Sequence, residues 1–450
     1  LYQDISHFVE DIKEGDIFVV IRGRSFDNLK DVEEAVRRGA KLVITPERLD
    51  IKVEQIVSGN TRKTAEEWAE RLYKFDDLEI VGITGTNGKT TTSFIIREIL
   101  SSCAGKTALM GTIIWDDLTE VKTSKLTTPE RFYIFRILGR ARRVGGKFAV
   151  MEVSSVGLDQ GRVDGIKFRV GVFTNLTRDH LDYHGSMENY LNAKLKLFRM
   201  LDGDAFAVIN SDDPYSGEFI RSTRVKMITY GKNGEFSFRI LEHSIGGLVL
   251  DINGEVFECG LLGEYNAYNI TSAYAVSKIF NIPDECVRRV LKNFRGVKGR
   301  LERVFSGDFH VFVDYAHTPD AMEKVLKELR RFSGRLIVVF GAGGNRDEGK
   351  RPLMGETAEK FADIIILTSD NPRFEDPERI IDDIARGIKE RKYYRIPDRK
   401  EAISFALNMA RKGDVIAILG KGHENYQEIK GVKYPFDDAE VVRRILKGIL

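Results

Sequence analysis

Residues 82–92 read GITGTNGKTTT. The apolar run LEIVGIT (78–84) leads into this stretch, and TTSFIIREILSS (91–102) leads out of it with apolar residues at helical spacing. Strand, glycine turn and helix are the setting of a phosphate-binding loop. Backbone N–H groups at a helix N-terminus favour an anion, and glycine lets the backbone come close to it. The common nucleotide loop has Gly, four residues, then Gly-Lys-Ser/Thr. Five residues before Gly88 stands Ile83, so this loop, with Gly85 and Gly88, is a shorter version. Lys89 is placed to reach β/γ-phosphates and Thr90 to ligate Mg²⁺. A merely capped turn would not need Thr-Gly-Thr-Asn-Gly-Lys-Thr-Thr.

Working outward, residues 1–77 mix short strands (DIFVVI, KLVIT) with helical stretches (NLKDVEEAVRRGA, KTAEEWAERLYKF), a small α/β unit. Residues 78–299 continue with the strands KFAVMEVSS, VGVFTNL and AFAVIN between helices, which predicts a mostly parallel, P-loop ATPase-like sheet. From residue 300 the pattern restarts with HVFVDYA, RLIVVFGAGG, DIIILTSD and DVIAILG, a second doubly wound, Rossmann-like unit over 300–450. The expected fold is thus α/β with three domains.

The bulk numbers exclude some function classes. Lysine plus arginine number 70 against 68 acidic residues in 450, net +2. That balance gives no reason to expect nucleic acid or an anionic membrane surface as the main partner. No apolar run approaches the roughly 18 residues of a membrane helix. LYQDISHFVE at the start has neither a basic region nor an apolar core, so no signal peptide is expected, and the start at Leu1 suggests trimming or an incomplete beginning. Cys103, Cys259 and Cys286 lie far apart, which predicts neither a disulfide framework nor a zinc site and fits a reducing cytoplasm.

Further motifs carry charge to strand ends. Glu152 sits inside the apolar strand of MEVSS (151–155), where a carboxylate is costly unless it meets a cation. In NLTRDHLDYHG (175–185), His180 follows a strand end between Asp179 and Asp182. A lone histidine is more often structural, but the phosphate loop and Glu152 shift the odds. Lys194 in NAKLKLF (192–198) follows on a helix. As an ammonium near Mg²⁺ it would be repelled; the plain reading is that it faces solvent or a phosphate, and the residues alone leave this open. FGAGGNRDEGKRP (340–352) is no dinucleotide fingerprint, because Arg346 holds the third glycine position. DNPR (370–373) ends a strand with a guanidinium suited to a carboxylate, although an exposed turn arginine is the plainer reading of that motif alone. GKGHE (420–424) ends another with an acid able to hold an ammonium.

Together with TTP (127–129), GEYNAYN (263–269), GRLE (299–302), DYAHTPDAM (314–322) and GKGHENYQ (420–427), these motifs resemble, in this order, the Mur ligases of peptidoglycan synthesis, and among them the tripeptide-forming branch. The resemblance spans nearly the whole chain from residue 11. It implies that the γ-phosphate of ATP passes to a substrate carboxylate, and that an amine attacks the acyl phosphate to form an amide. By that resemblance Gly85, Thr86, Asn87, Gly88, Lys89, Thr90 and Thr91 bind ATP phosphates, Asn266 and Asn269 lie on the adenine side, and Arg300, Asp314 and His317 contact the ATP phosphates and ribose. Thr90 would hold one Mg²⁺. Glu152, His180 and Lys194, the last as a carbamate formed with CO₂, would hold another. Ser6, Thr127, Thr128, Ser154, Gln160 and Arg162 would hold the UDP-N-acetylmuramoyl-dipeptide. Arg346, Asn371, Arg373, Gly420 and Glu424 would form the pocket of the added diamino acid.

The DNPR form implies meso-diaminopimelate, whose extra carboxylate would pair with Arg373; L-lysine is the alternative. A cytoplasmic monomer is expected. Two departures stand out. Val156 replaces the family histidine, and no Asp-Ser-Arg signature lies near the start, where Ser6 is the one candidate. A P-loop kinase or GTPase would share the loop without the later motifs. A ligase acting on folate or on another cell-wall peptide is the nearer rival, and Ser154, Gln160 and Arg162 argue against folate.

Overall fold

The computed structural model describes residues 2–23 and 26–448. A four-stranded sheet opens the chain, with β1 (Ile5–Ser6), β2 (Ile17–Val19), β3 (Leu42–Thr45) and β4 (Glu54–Val57) in sequential order. Its pairs are parallel throughout. Next comes an eleven-stranded sheet built from β5 (Glu79–Thr84), β6 (Thr107–Met110), β7 (Ile114–Asp116), β8 (Val121–Thr123), β9 (Phe148–Glu152), β10 (Val170–Phe173), β11 (Phe206–Asn210), β12 (Lys226–Gly231), β13 (Phe236–Ser244), β14 (Gly247–Ile252) and β15 (Glu255–Cys259). The order is β15-β14-β13-β12-β11-β10-β5-β9-β6-β7-β8. β5 lies between β10 and β9 and runs parallel to both. Chain order reverses there, so the loop after β5 opens at a switch point, where α/β sheets bind ligands.

The third sheet contains β16 (Glu302–Ser306), β17 (His310–Asp314), β18 (Leu336–Phe340), β19 (Ile364–Leu367), β20 (Tyr393–Arg395) and β21 (Val415–Leu419), in the order β16-β17-β21-β18-β19-β20. Only β16 runs antiparallel to its neighbour. A small antiparallel pair, β22 (Tyr426–Ile429) and β23 (Val432–Pro435), follows. The inner strands β18, β19 and β21 are near-continuous Val/Ile/Leu runs because helices cover both of their faces. The glycine loops GAGG and GKG and the DNPR turn all leave their C-terminal ends.

The chain divides into two compact units. The first is Leu1–Arg239 with Asp251–Phe257 and Ala267–Leu291; the second is Ile240–Leu250 with Glu258–Asn266 and Lys292–Leu450. Within the first, the small and central sheets share one core, in which Ile5, Ile17 and Ile44 join Phe132, Tyr133 and Ile137. In the second, apolar residues of the third sheet pack on both faces, Val338 with Met354 and Ile381 on one, Ile337 with Ile403 and Val442 on the other. Among the described residues no helix is long and apolar enough to cross a membrane.

The cysteine expectation is corrected by the structure. Cys103, at the end of the helix Lys89–Cys103, is bonded to Cys286 in the helix Asp284–Asn293, 183 residues away in sequence and 6.1 Å in Cα distance. Separation along the chain carries no information on this pairing, because helix packing creates it. Cys259 is free and buried.

Candidate active site

In the first unit the phosphate loop joins β5 to the helix Lys89–Cys103. Gly88, at the helix N-cap, has φ 86° and no side-chain cap. A Cβ there would lie 2.5 Å from Asn269 Oδ1, and one on Gly85 would overlap the Thr174 hydroxyl. Glycine is therefore dictated twice, by conformation and by close approach. Lys89 Nζ curls back to donate to Gly85 O at 2.8 Å and Thr86 O at 2.9 Å. Asn269 is buried behind the loop, and its Oδ1 accepts from the Thr92 hydroxyl at 3.2 Å. Thr86 Oγ1 meets Tyr190 OH at 3.1 Å, and Asn87 N donates to Asn175 Oδ1 at 2.9 Å.

Glu152, at the end of β9, is fully buried. Its carboxylate accepts from the Thr90 hydroxyl at 3.0 Å, from Thr112 N at 2.8 Å and from the Thr112 hydroxyl at 2.9 Å. All three donors are neutral. A carboxylate buried among neutral donors alone has no cation beside it to offset a negative charge. An oxygen-only set of carboxylate and hydroxyl suits a hard cation such as Mg²⁺. The residues present therefore fit that ion at Thr90 and Glu152. Thr112 is a residue that sequence reasoning missed. Its signal is Gly111 before it, since a Cβ on Gly111 would overlap Glu152 Oε1.

His180 is not brought into this group. It has φ 51° and a half-exposed side chain, and its ring nitrogen is 3.7 Å from Asp179. Among the described residues no cluster of three or more His, Cys, Asp or Glu is positioned to hold a metal. Lys194, by contrast, is buried beneath the loop and donates to Gly85 O at 2.8 Å, with the Tyr190 ring 4.5 Å from Nζ. Burial holds its amine well below the usual lysine range. The nearby Lys89 charge adds to that shift and Asp179 opposes it. The open choice between solvent and phosphate thus resolves to neither, because a buried Lys194 favours the neutral amine.

A polar cluster extends from β9. Thr128 Oγ1 donates to Glu152 O and meets Ser154 Oγ, both at 3.0 Å. Arg162 donates to Thr128 O at 2.7 Å and to Gln160 Oε1 at 2.7 Å, and Thr127 meets the Thr112 hydroxyl at 3.2 Å. Five of the six residues expected to hold the nucleotide-sugar peptide thus join one network. Ser6 does not. It is buried and donates to Asp11, which also binds Arg136 and Tyr133 at 2.7 Å. Val156 lies in the short helix Ser155–Asp159, where Ser155 Oγ instead meets His184 Nε2 at 3.0 Å.

The second unit holds the remaining candidates. Asp314 is buried and accepts from Leu301 N and Ala316 N at 2.6 and 2.8 Å. Burial pushes its carboxyl up, against the pull of Arg300. Arg300 lies over the Tyr315 ring with a buried Nε lacking a partner, and His317 Nδ1 meets Tyr315 O at 2.8 Å. Asn266 donates to Leu262 O at 2.6 Å. Asn371 Nδ2 donates to Glu424 Oε2 at 2.8 Å, and the fully buried Lys421 reaches both Asn371 Oδ1 and Glu424 Oε2 at 3.1 Å. Gly420, φ 112°, leaves space for the Asp370 carboxylate. Arg373 donates to Gly344 O at 2.7 Å and pairs with Glu428 at 3.3 Å, while Arg346 is exposed. Lys421, inside the GKGHE motif, and Glu428, four residues beyond it, were not singled out from sequence.

Comparison with known proteins places this geometry. The Mur ligase middle domain matches residues 83–277, and the Mur ligase glutamate ligase domain matches residues 299–422. The chain belongs to the Mur ligase family. It is 44% identical over 466 aligned positions to the UDP-N-acetylmuramoyl-L-alanyl-D-glutamate–2,6-diaminopimelate ligase of Aquifex aeolicus, covering 100% of this chain and 96% of the relative. Identity to the ligase of the same name from Phocaeicola vulgatus is 42%, covering 96% and 93%. A solved structure of a ligase bearing this name superposes with TM-score 0.64 at 35% identity, covering 99% and 95%. The Mur ligase fold itself recurs in MurF of Thermotoga maritima in complex with ADP, TM-score 0.69 at 20% identity, covering 99% and 97%. As a Mur ligase, the chain has its loop, its buried carboxylate and its buried lysine within the matched middle domain, and its Asn371 and Arg373 cluster within the matched glutamate ligase domain.

Proposed function

We propose that this chain is an ATP-dependent, ADP-forming ligase that adds meso-diaminopimelate to UDP-N-acetylmuramoyl-L-alanyl-D-glutamate. The observation that carries the reading is the buried Glu152 joined to Thr90 of the phosphate loop, in a chain whose full-length relatives bear that name. The γ-phosphate of ATP passes to the substrate carboxylate, ADP leaves, and the amine of the diamino acid attacks the acyl phosphate. The amide forms as free phosphate departs. Lys89 and the loop amides orient the phosphates, so that catalysis is mainly positioning and charge neutralisation. Mg²⁺ held at Thr90 and Glu152 would neutralise charge on the transferring phosphoryl group, and His180 and the Lys194 carbamate are proposed as further ligands.

Lys194 is proposed to carry a carbamate. A neutral amine is the nucleophile that CO₂ requires: an N–C bond forms, one proton is lost, and the side chain becomes an anion. The depressed basicity of Lys194 supports this, since an ordinary ammonium has no lone pair to donate. Thr127, Thr128, Ser154, Gln160 and Arg162 are proposed to hold the nucleotide-sugar peptide in the 78–299 segment, with 1–77 on its uridine side. Asn266, Asn269, Arg300, Asp314 and His317 are proposed to contact the nucleotide. In the 300–450 segment Arg346, Asn371, Arg373, Gly420 and Glu424 are proposed to take the diamino acid.

L-Lysine remains a second reading on one specific ground: Arg373 already has a carboxylate partner in Glu428, so a substrate without a distal carboxylate leaves no bare guanidinium. The test is phosphate release from ATP with the UDP-dipeptide and a panel of amino acids, with the product identified by mass. Release that needs both co-substrates, with diaminopimelate preferred, supports the proposal. A stable phosphorylated product without amide formation refutes it.

A further inference from the structure

The diamino-acid pocket already contains opposite charges of its own. Glu424 Oε2 is fixed by Asn371 and by Lys421, whose side chain is 0% exposed. Arg373 is held differently. Its backbone has φ 53°, and its N donates to Glu428 O at 3.0 Å while its O accepts from Lys430 N at 2.6 Å. Glu428 N in turn donates to Asn371 Oδ1 at 2.9 Å. The strand Tyr426–Ile429 is thus stitched to the DNPR turn, which fixes where both side chains start. Their ends are freer: the Arg373 and Glu428 side chains are 20% and 22% exposed, and they meet at 3.3 Å.

We propose that Glu428 is a specificity-determining residue, an internal carboxylate that competes with the distal carboxylate of the incoming amino acid for Arg373. This rests on the ligase reading of the pocket. Arg373 is anchored through Nη1 to Gly344 O, and Gly344 is itself pinned, since a Cβ there would overlap Pro372 O. That anchor holds the guanidinium beside Glu428. A second carboxylate arriving at Arg373 either displaces Glu428 or sits beside it and is repelled. Both routes weaken binding of a substrate with a distal carboxylate, and neither touches one that ends in an ammonium alone. Glu428 thereby sets how far the pocket discriminates, an instance of specificity tuned by a built-in opposing charge. Lys421 does not play the matching part at Glu424, because full burial leaves it nowhere to retreat.

The test compares meso-diaminopimelate and L-lysine on wild type, Glu428→Gln, Arg373→Ala and the double variant, reading kcat and KM separately. Glu428→Gln is expected to lower KM for diaminopimelate about three- to fivefold, the range of a partly exposed ion pair, with kcat unchanged and the lysine KM within about twofold. In the Arg373→Ala background the same substitution is expected to do nothing. A residue that merely supports the fold would move both substrates together, so an unchanged preference ratio, or a parallel rise of both KM values, overturns the proposal. If wild type releases no phosphate with either amino acid, the ligase reading falls and this proposal with it. If wild type is active and only the ratio stays fixed, Glu428 alone is at fault.

Discussion

Thr112→Val isolates the buried carboxylate at the centre of the site. The change is nearly isosteric. It deletes the hydroxyl that donates to Glu152 Oε2 at 2.9 Å and keeps the backbone donor at 2.8 Å and Thr90 at 3.0 Å. Hydrogen bonds to charged groups contribute about 1.5–3 kcal/mol, and neutral ones about 0.5–1.5 kcal/mol. With Glu152 fully buried, the charged range applies to wild type and the neutral range to Glu152→Gln. The predicted coupling between the two positions is therefore about 1 kcal/mol or more. Both tryptophans, Trp68 and Trp115, lie in the first unit, so urea unfolding followed by tryptophan fluorescence reports on that unit. Equal losses from Thr112→Val in the wild-type and Glu152→Gln backgrounds would show that Glu152 carries no uncompensated charge, and the cation argument would fall.

Three further outcomes follow from the structure. Lys194→Ala should nearly abolish phosphate release, with partial recovery in acetate or formate; full activity of the variant in CO₂-depleted buffer would remove the carbamate. Burial pushes the His7 imidazole from 6.5 down to about 3, with Asp11 opposing and Lys125, Arg136 and Arg62 assisting. Between those values the unfolded chain binds the extra proton, so stability is lost as pH falls below 6.5, by about 1.4 kcal/mol per pH unit and about 2 kcal/mol at pH 5. His7→Phe should lack that slope, and identical pH dependence of urea midpoints in the variant would contradict it. Joining Cys103 to Cys286 closes a 183-residue loop, for which chain entropy allows a stabilisation of about 5 kcal/mol. Dithiothreitol should lower the wild-type urea midpoint and leave that of Cys286→Ser unmoved; insensitivity of wild type would deny the bond in solution.

What was readable from sequence, and what was not, divides along physical lines. The strands LEIVGIT, KFAVMEVSS and VGVFTNL were legible because buried parallel strands are continuous apolar runs, whereas the switch point at Gly85–Gly88 came only with their order in the sheet. Strands β12 to β15 were not noticed, since half-exposed strands such as FSFRILEHS alternate polar and apolar residues weakly. Glu152 was found as a charge inside an apolar strand, whereas the role expected of Lys194 came from the family resemblance. Thr112, Lys421 and Glu428 were missed because their importance lies in a partner 40 to 57 residues away, which no local pattern records. His180 was singled out from its clustering in sequence; in the structure its ring lies beside Asp179, apart from the Glu152 group.

The division of the chain into units has a consequence for how the molecule is made. Three segments of each unit alternate along the sequence, so the chain crosses from one to the other five times. A ribosome delivers residues 1–239 first. Ile240–Leu250 and Glu258–Asn266 follow; they carry parts of β13, β14 and β15, which extend the eleven-stranded sheet beyond β12, although they group with the later unit. The first unit closes only when Ala267–Leu291 emerges. Folding strictly one domain after another is the ordinary course for large proteins. Here the segments of the two units are interleaved, so neither unit can be cut out of the gene as a single uninterrupted stretch.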